Sequence, residues 1–487
     1  MSDTKRQHHD VLIVGAGLSG IGAAYHLQTQ CPKKSYAILE TRENLGGTWD
    51  LFRYPGVRSD SDMHTLGFSF RPWTEAKAIA DGGSILAYVR DTAEAYGMDK
   101  KIQFGRRVIA AAWSSDDARW TLSVRHAESG TVETHTCGFL FVCAGYYDYE
   151  NGYTPEFAGR EKFLGRIVHP QFWTPDIDYS GKRVVVIGSG ATAITLLPEL
   201  AKTARHVTML QRSPSYVMAV PARDTVANWL RLHLSPERAY SVTRWKNVLL
   251  FMAFYEWCRL FPERATGFLI GRMKHGLGDS TDVHTHFSPT YRPWEQRLCF
   301  APDGDFFTAI RDGRADVVTE PIESFTENGL RLRSGRELEA DLIVTATGLK
   351  LQLFGGMAVT VDGHSALPSD TLIYKGMMCS DIPNLAFAVG YTNASWTLKV
   401  DLVAGYVCRL LNHMDAHGHR RCTPRRATED VATGPLIDFN SGYVKRALDS
   451  LPKQGNRAPW KLRQNYVLDL VSLKHAPLTD KAMEFTS

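Results

Sequence analysis

One pattern, occurring twice, constrains this chain more than any other feature. Residues 11–14, Val-Leu-Ile-Val, form a short apolar run, and Gly15-Ala-Gly17-Leu-Ser19-Gly20 follows at once. Residues 21–28 then predict a helix. In such a strand–turn–helix unit the first glycine permits the tight turn and the second lets backbone approach a pyrophosphate. The third lets helix pack on strand. The anion rests over the helix N-terminus, where unpaired N–H groups and peptide dipoles favour negative charge. A second predicted strand, 36–39, ends in Glu40, whose carboxylate is placed to bind ribose hydroxyls.

The pattern returns at 182–187, a near-continuous apolar run of the parallel-sheet kind. Gly188-Ser189-Gly190-Ala191-Thr192 follows, opening a helix predicted to about residue 200. Here the second strand, 206–210, ends in Gln211-Arg212 rather than in an acid. A carboxylate would repel a 2′-phosphate, whereas a guanidinium can bind it bidentately. Arg212 therefore points to NADP rather than NAD, the alternative being a solvated strand-end charge.

Two such units predict an α/β fold with two Rossmann-like dinucleotide-binding domains. Runs at 106–113, 120–124 and 139–142 read as strands, the last leading into Cys143-Ala144-Gly145. Strands at 317–319 and 330–333 are expected to complete the second domain, and 342–345 to turn the chain back towards the first. A strand at 385–390 and a helix after a Ser395 cap would close that first fold. Val403, Tyr406, Val407, Leu410 and Leu411 recur there at helical spacing. The second domain is thus expected as an insertion into a discontinuous first one. The 487 residues suffice for about three domains' worth of core.

Other features narrow the class. A net charge of +4 over this length suits anionic cofactors and does not indicate a nucleic-acid binder. The eight cysteines include no Cys-x-x-Cys pair, so neither a zinc site nor a redox-active disulfide is expected. Residues 1–10 are polar and do not resemble a leader; with free thiols, this suggests the cytoplasm. The stretch 229–273 reads as helical, aromatic and basic, its apolar centre at 248–255 too short to span a bilayer. Helices packed over the two domains are the plain reading. A substrate entrance or a weak association with a membrane surface stays open. The tail beyond Gly418 is polar and carries no functional signal.

Three irregular stretches join these elements. Residues 46–60 carry Gly46-Gly47-Thr48-Trp49, Tyr54-Pro55-Gly56 and Arg58-Ser59-Asp60, either a loop over a cofactor or a surface turn in which Asp60 caps a following helix. Residues 163–173 link the two nucleotide units, with Phe163, Gly165, His169 and Trp173 as landmarks of a rigid connector. Residues 291–300 are expected as an ordered aromatic loop containing Gln296-Arg297. Two dinucleotide sites suggest a flavin and a nicotinamide exchanging hydride. With no disulfide or metal cluster in view, molecular oxygen is the natural electron acceptor.

The spacing Phe163-x-Gly165-x-x-x-His169-x-x-x-Trp173, between two Gly-x-Gly turns, resembles the signature of the class B flavoprotein monooxygenases. The run from Gly46-Gly47 through Trp49, Tyr54-Pro55-Gly56 and Asp60 is similar to a second signature, that of type I Baeyer–Villiger monooxygenases. The likeness covers nearly the whole chain. Gly355-Gly356 and Tyr391-Thr-Asn-Ala-Ser-Trp396 place it nearest to a mycobacterial member that activates a thioamide prodrug.

This resemblance implies FAD in the first domain, with parts at 1–150 and 349–487, and NADP(H) in the second, with parts at 151–228 and 291–348. A helical insertion would occupy 229–290. It implies that NADPH and oxygen convert a ketone to an ester or lactone through a C4a-peroxyflavin, with sulfoxidation alongside. Sulfides, thioamides or amines as main substrates are the alternative, and a regulator without turnover is the distant one. By the same resemblance Arg297 stabilises the anionic intermediates and Asp60 pairs with it. Gly15, Gly17, Ser19, Gly20, Glu40, Gly47, Thr48, Trp49, Arg58, Ser59, Asp60 and Val108 would hold FAD. Gly188, Ser189, Gly190, Ala191, Thr192, Gln211 and Arg212 would hold NADP, and His169 would act as a hinge. Two residues depart from the pattern: Gln296 stands where many relatives have lysine, and Thr174 follows Trp173.

Overall fold

A computed structural model describes residues 7–278, 281–426, 431–437 and 441–487. Met1–Arg6, on which part of the leader reading rests, lie outside the described residues. The first sheet is nucleated by strand Gln7–Val14, whose C-terminal half Val11–Val14 is wholly apolar and buried. It pairs in parallel with Tyr36–Leu39 on one side and Val132–Val142 on the other.

Strand Val132–Val142 is long enough to serve two partners. Its N-terminal part pairs antiparallel with Arg119–His126, and Leu140–Val142 pairs in parallel with Leu385–Phe387. The chain therefore returns to the first sheet after building the second, as expected. Helix Trp396–His417 then lies against helix Leu18–Gln30.

The second sheet is all parallel, in the order Ala315–Thr319, His206–Gln211, Arg183–Ile187, Leu342–Thr345, Arg166–Val168. One expectation changes here. The stretch 163–173 is more than a connector, because Arg166–Val168 is the edge strand of this sheet. Gly165 and Pro170 confine it to three residues, too few to show a periodicity. The strand expected at 330–333 is Gly329–Leu332; it lies in a separate antiparallel sheet with Ile322–Thr326 and Glu337–Glu339, and its Leu330 and Leu332 pack with Val185 and Ile187 of the second sheet.

The two anchors of the connector grip opposite faces. Phe163 packs with Val185 and Ile187, and Trp173 with Val184 and Val186. Alternate residues of one strand point to opposite sides of its sheet, so the connector straddles the second fold.

Between the halves of the second fold lie helices Thr225–His233, Pro236–Leu260 and Pro262–Leu277. Buried Arg244 ties them to the first fold. It donates to the carbonyls of His64, Thr65 and Gly67 at 3.0, 3.2 and 2.8 Å and pairs with Asp401 at 3.3 Å. No helix of the described residues is long and apolar enough to cross a membrane.

Candidate active site

Both glycine-rich turns open into one cleft of about 1110 Å³. In the first, Gly15 has φ +103°, and a side chain there would strike the Cys143 carbonyl. A Cβ on Gly20 would come within 1.9 Å of the Gly15 carbonyl oxygen, so helix Leu18–Gln30 can approach the turn only as it is. Gly20 alone of the expected cofactor residues does not line the cleft; its place is packing. Gly17 faces Gly47 of the 46–60 loop, where a Cβ on Gly47 would lie 3.1 Å from the Gly17 Cα.

Glu40 is buried at the end of its strand. Its carboxylate accepts from the Ala16 N–H at 2.7 Å and the Arg42 N–H at 2.9 Å, which leaves further acceptor sites for hydroxyl groups. Burial pushes its pKa above the usual carboxylate value, opposed by those two hydrogen bonds.

The second turn repeats the geometry. Gly188 has φ +136° under the Ala346 carbonyl, and Ser189 Oγ lies 3.0 Å from Ser215 Oγ. A Cβ on Gly190 would meet nothing within 4 Å, so this turn is bounded by open space. Helices Leu18–Gln30 and Ala191–Leu200 both start at a glycine with no side-chain cap, leaving first-turn N–H groups for an anion. Gln211 and Arg212 divide at the strand end. The Gln211 amide donates to the His286 carbonyl and to Thr319 Oγ1, both at 2.8 Å, whereas Arg212 is exposed at the cleft.

The 46–60 loop leaves the first fold and presses on the second. Gly56 abuts helix Ala191–Leu200 at Thr195 and Glu199, and Arg58 pairs with Asp305. Ser59 Oγ accepts from the Ser61 N–H at 2.9 Å. Asp60 does not cap a helix. Asp62 does so instead, accepting from Thr65 N–H at 3.1 Å. Asp60 points to Arg297, 3.1 Å away, joining a loop of the first fold to one of the second. The aromatic loop holding Arg297 is shorter than expected, since Cys299 and Phe300 already belong to strand Cys299–Pro302.

The Arg297 side chain is 39% exposed, and it lines the cleft. Burial works against its charge, but Asp60 and the hydroxyls of Tyr146, Tyr147 and Tyr443 outweigh that and raise its pKa above the ordinary arginine value. The guanidinium is a fixed cation at any working pH.

Several cleft residues escaped the sequence reading. Tyr146 and Tyr147 share a 2.7 Å hydrogen bond between hydroxyls, and Tyr146 stacks on Trp396, whose indole N–H donates to Ser19 Oγ at 2.7 Å. The Tyr149 hydroxyl meets Thr48 Oγ1 at 3.1 Å. Position just after Cys143-Ala144-Gly145 could have drawn attention to these tyrosines. Nothing in the polar tail signals Tyr443 or Arg446, yet both line the cleft, Arg446 with its guanidinium 3.3 Å from the Tyr153 ring centre. Gln296 also lines the cleft, beside Arg297.

His169 lies outside the lining and braces it. Its Nδ1 accepts from the Gln171 N–H at 3.2 Å, so its Nε2, 3.1 Å from the Gly348 carbonyl, is the donor. Burial lowers its pKa, keeping the ring neutral. Ser395 precedes helix Trp396–His417 as expected but does not cap it; its hydroxyl lies 2.6 Å from Thr65 Oγ1.

A family model described as flavin-binding monooxygenase-like matches residues 8–229. The FAD-containing monooxygenase EthA of Mycobacterium tuberculosis (strain ATCC 25618 / H37Rv) is 55% identical over 480 residues, spanning 98% of this chain and 98% of its own. A steroid monooxygenase bound to NADP shares the fold with a TM-score of 0.76 at 24% identity, over 99% of this chain and 100% of that one. Cyclohexanone monooxygenase bound to ε-caprolactone gives 0.74 at 18% identity, over 99% and 100%.

Proposed function

The chain belongs to the flavin-binding monooxygenase-like family, and from that premise we propose that it uses NADPH and molecular oxygen to convert a ketone to an ester or lactone. The observation that carries this reading is the Asp60–Arg297 pair, a fixed cation and its orienting carboxylate in the cleft shared by both glycine-rich turns. An enzyme that only moved hydride between nucleotides would need no such charge. One that adds oxygen to a carbonyl must stabilise a negative charge that develops on oxygen.

The residues fit the two cofactors. The Gly15–Gly20 turn has no side chain between it and Gly47, and Glu40 supplies a carboxylate at the strand end; this cradle would hold the pyrophosphate and ribose of FAD. Thr48, Trp49, Arg58, Ser59 and Val108 line the same cleft. The second turn, with Ser189, Ala191, Thr192 and exposed Arg212, would hold NADP(H). When bound, FAD accepts hydride from NADPH and passes the electrons to oxygen. Arg297 then holds positive charge where the anion forms, and Asp60 keeps its fork oriented. Tyr146, Tyr147 and Trp396 wall the site with aromatic surface and limit water. Neutral His169 ties the connector to Gly348, three residues past strand Leu342–Thr345 of the second sheet, and so fixes how the second turn is presented to the first.

That cyclohexanone monooxygenase shares the fold while holding ε-caprolactone, the ring-expanded ester of its named substrate, agrees with this choice of reaction. The test is a substrate panel of linear, cyclic and aromatic ketones with one thioether, given to the holoenzyme with NADPH and oxygen. Products one oxygen atom heavier that release an alcohol and an acid on alkaline hydrolysis are expected from the ketones. Sulfoxide from the thioether with no ester from any ketone would move the activity to sulfur oxidation and refute the ketone reading.

A further inference from the structure

The helical insertion carries a surface that the cleft does not explain. Among the described residues, eleven of the nineteen exposed large hydrophobic side chains fall between Val226 and Phe268, about an eleventh of the chain. Scattered exposed leucines are ordinary, but a contiguous apolar patch marks an interaction site. These residues are ordered along the helices. On Pro236–Leu260 the exposed set Val242, Trp245, Leu249, Ala253 and Leu260 recurs at spacings of three, four, four and seven. At 3.6 residues per turn this is one stripe, about 27 Å long.

The opposite face of the same helix is fully used. Tyr240, Thr243, Arg244, Val248 and Cys258 are buried there, and Val248 packs on Tyr391 and Leu398. Tyr391 lines the cleft. Helix Thr225–His233 packs beside this helix and adds Trp229 and Leu232, the latter 82% exposed. Phe268 adds a ring edge-on to Trp257 from the next helix.

The charge of this unit selects what covers it. Arg244 is buried with Asp401, and Lys246 pairs with Asp224. Arg231 is half-buried and donates to the Thr74 and Glu75 carbonyls, which leaves five exposed basic residues over 225–277, Arg238, Arg259, Arg264, Arg272 and Lys274, against Glu237, Glu256 and Glu263. Of the acids, Glu256 sits on the apolar stripe. A second copy docked face to face would bring two positive surfaces together, whereas an anionic surface is complementary. No helix here can cross a bilayer, so insertion is limited to the interface.

We propose that helices Thr225–His233, Pro236–Leu260 and Pro262–Leu277 dock the protein on the surface of an anionic lipid bilayer. The apolar stripe enters the headgroup boundary and the basic residues meet lipid phosphates. The docked helix separates lipid from the Tyr391 wall of the cleft by one helix diameter, about 10 Å. This inference stands on the insertion's own surface and is independent of which substrate is oxidised.

The test is co-sedimentation of the FAD-loaded protein with vesicles of phosphatidylglycerol and phosphatidylcholine, compared with phosphatidylcholine alone. Binding to the anionic vesicles is expected, with weak binding to the neutral ones. The double substitution Leu249→Gln with Leu260→Gln should lower vesicle partitioning by roughly tenfold or more, with FAD content and thermal midpoint unchanged. Arg272→Glu with Lys274→Glu, which leaves the stripe intact, should weaken binding to anionic vesicles only. No binding to either vesicle, equal binding to both, or binding that the leucine pair does not alter would overturn the proposal. So would a dimer in sedimentation velocity that the leucine pair dissociates while vesicles fail to bind.

Discussion

Replacing Gly190 by alanine separates ligand contact from protein packing in the second turn. Gly190 sits at φ −82°, ψ −177°, extended backbone that alanine adopts freely, and its added methyl would meet no protein atom within 4 Å. Two opposed effects on stability follow. Alanine is a poorer helix N-cap than glycine, costing about 0.5–1 kcal/mol. It also narrows the unfolded ensemble, which stabilises the fold by about 0.4–1 kcal/mol. These nearly cancel, so the unfolding midpoint should hold. The methyl would instead displace a pyrophosphate from the N–H groups of helix Ala191–Leu200. Loss of one charge-assisted hydrogen bond, at about 1.5–3 kcal/mol, corresponds to roughly a tenfold to hundredfold rise in KM for NADPH. The assay is NADPH oxidation across nucleotide concentrations, with flavin absorbance and thermal unfolding on the same sample. Gly20→Ala is the contrast: its Cβ meets the Gly15 carbonyl oxygen at 1.9 Å, so FAD retention should fail outright. An unchanged KM for NADPH in Gly190→Ala would refute the placement of the nucleotide at this turn.

Arg212→Ala should raise KM for NADPH far more than that for NADH; a wild type that uses both equally would remove the clamp from Arg212. His169→Ala should keep FAD bound while releasing more hydrogen peroxide per NADPH consumed, read with a peroxidase assay. Because burial holds the folded pKa of His169 below its unfolded value, its contribution to stability is full above about pH 6.5 and is lost as pH falls. The gap in unfolding midpoint between wild type and His169→Ala should therefore narrow on acidification; a constant gap would contradict the neutral assignment.

The sequence made the two nucleotide folds legible because each compresses its logic into one short stretch: an apolar strand, spaced glycines and a strand end that is either Glu40 or Arg212. The edge strand Arg166–Val168 could not be read, since three residues carry no period and its pairing with Leu342–Thr345 spans more than 170 residues. The sheet to which Gly329–Leu332 belongs is not legible either, for a related reason: alternation identifies a strand but does not name its partner. The residues around Asp60 leave it between helix cap and cofactor loop, the family resemblance pairs it with Arg297, and the 3.1 Å approach of the two side chains rules out the cap. The cleft walls were the least legible. Tyr443 and Arg446 come from a polar tail and reach the site through the path of the chain, not through any local pattern.

The central claim is that Arg297 supplies the charge for oxygen transfer, and its direct measurement is product formation by Arg297→Ala on a ketone and a thioether in parallel. Removal of one preorganised charge of this kind costs about 10²–10³ in kcat. Ester formation should fall by that factor with FAD content and KM for NADPH unchanged, and Arg297→Lys, which keeps the charge but not the fork, should recover little. Ester and sulfoxide formed at wild-type rates by Arg297→Ala would contradict the account.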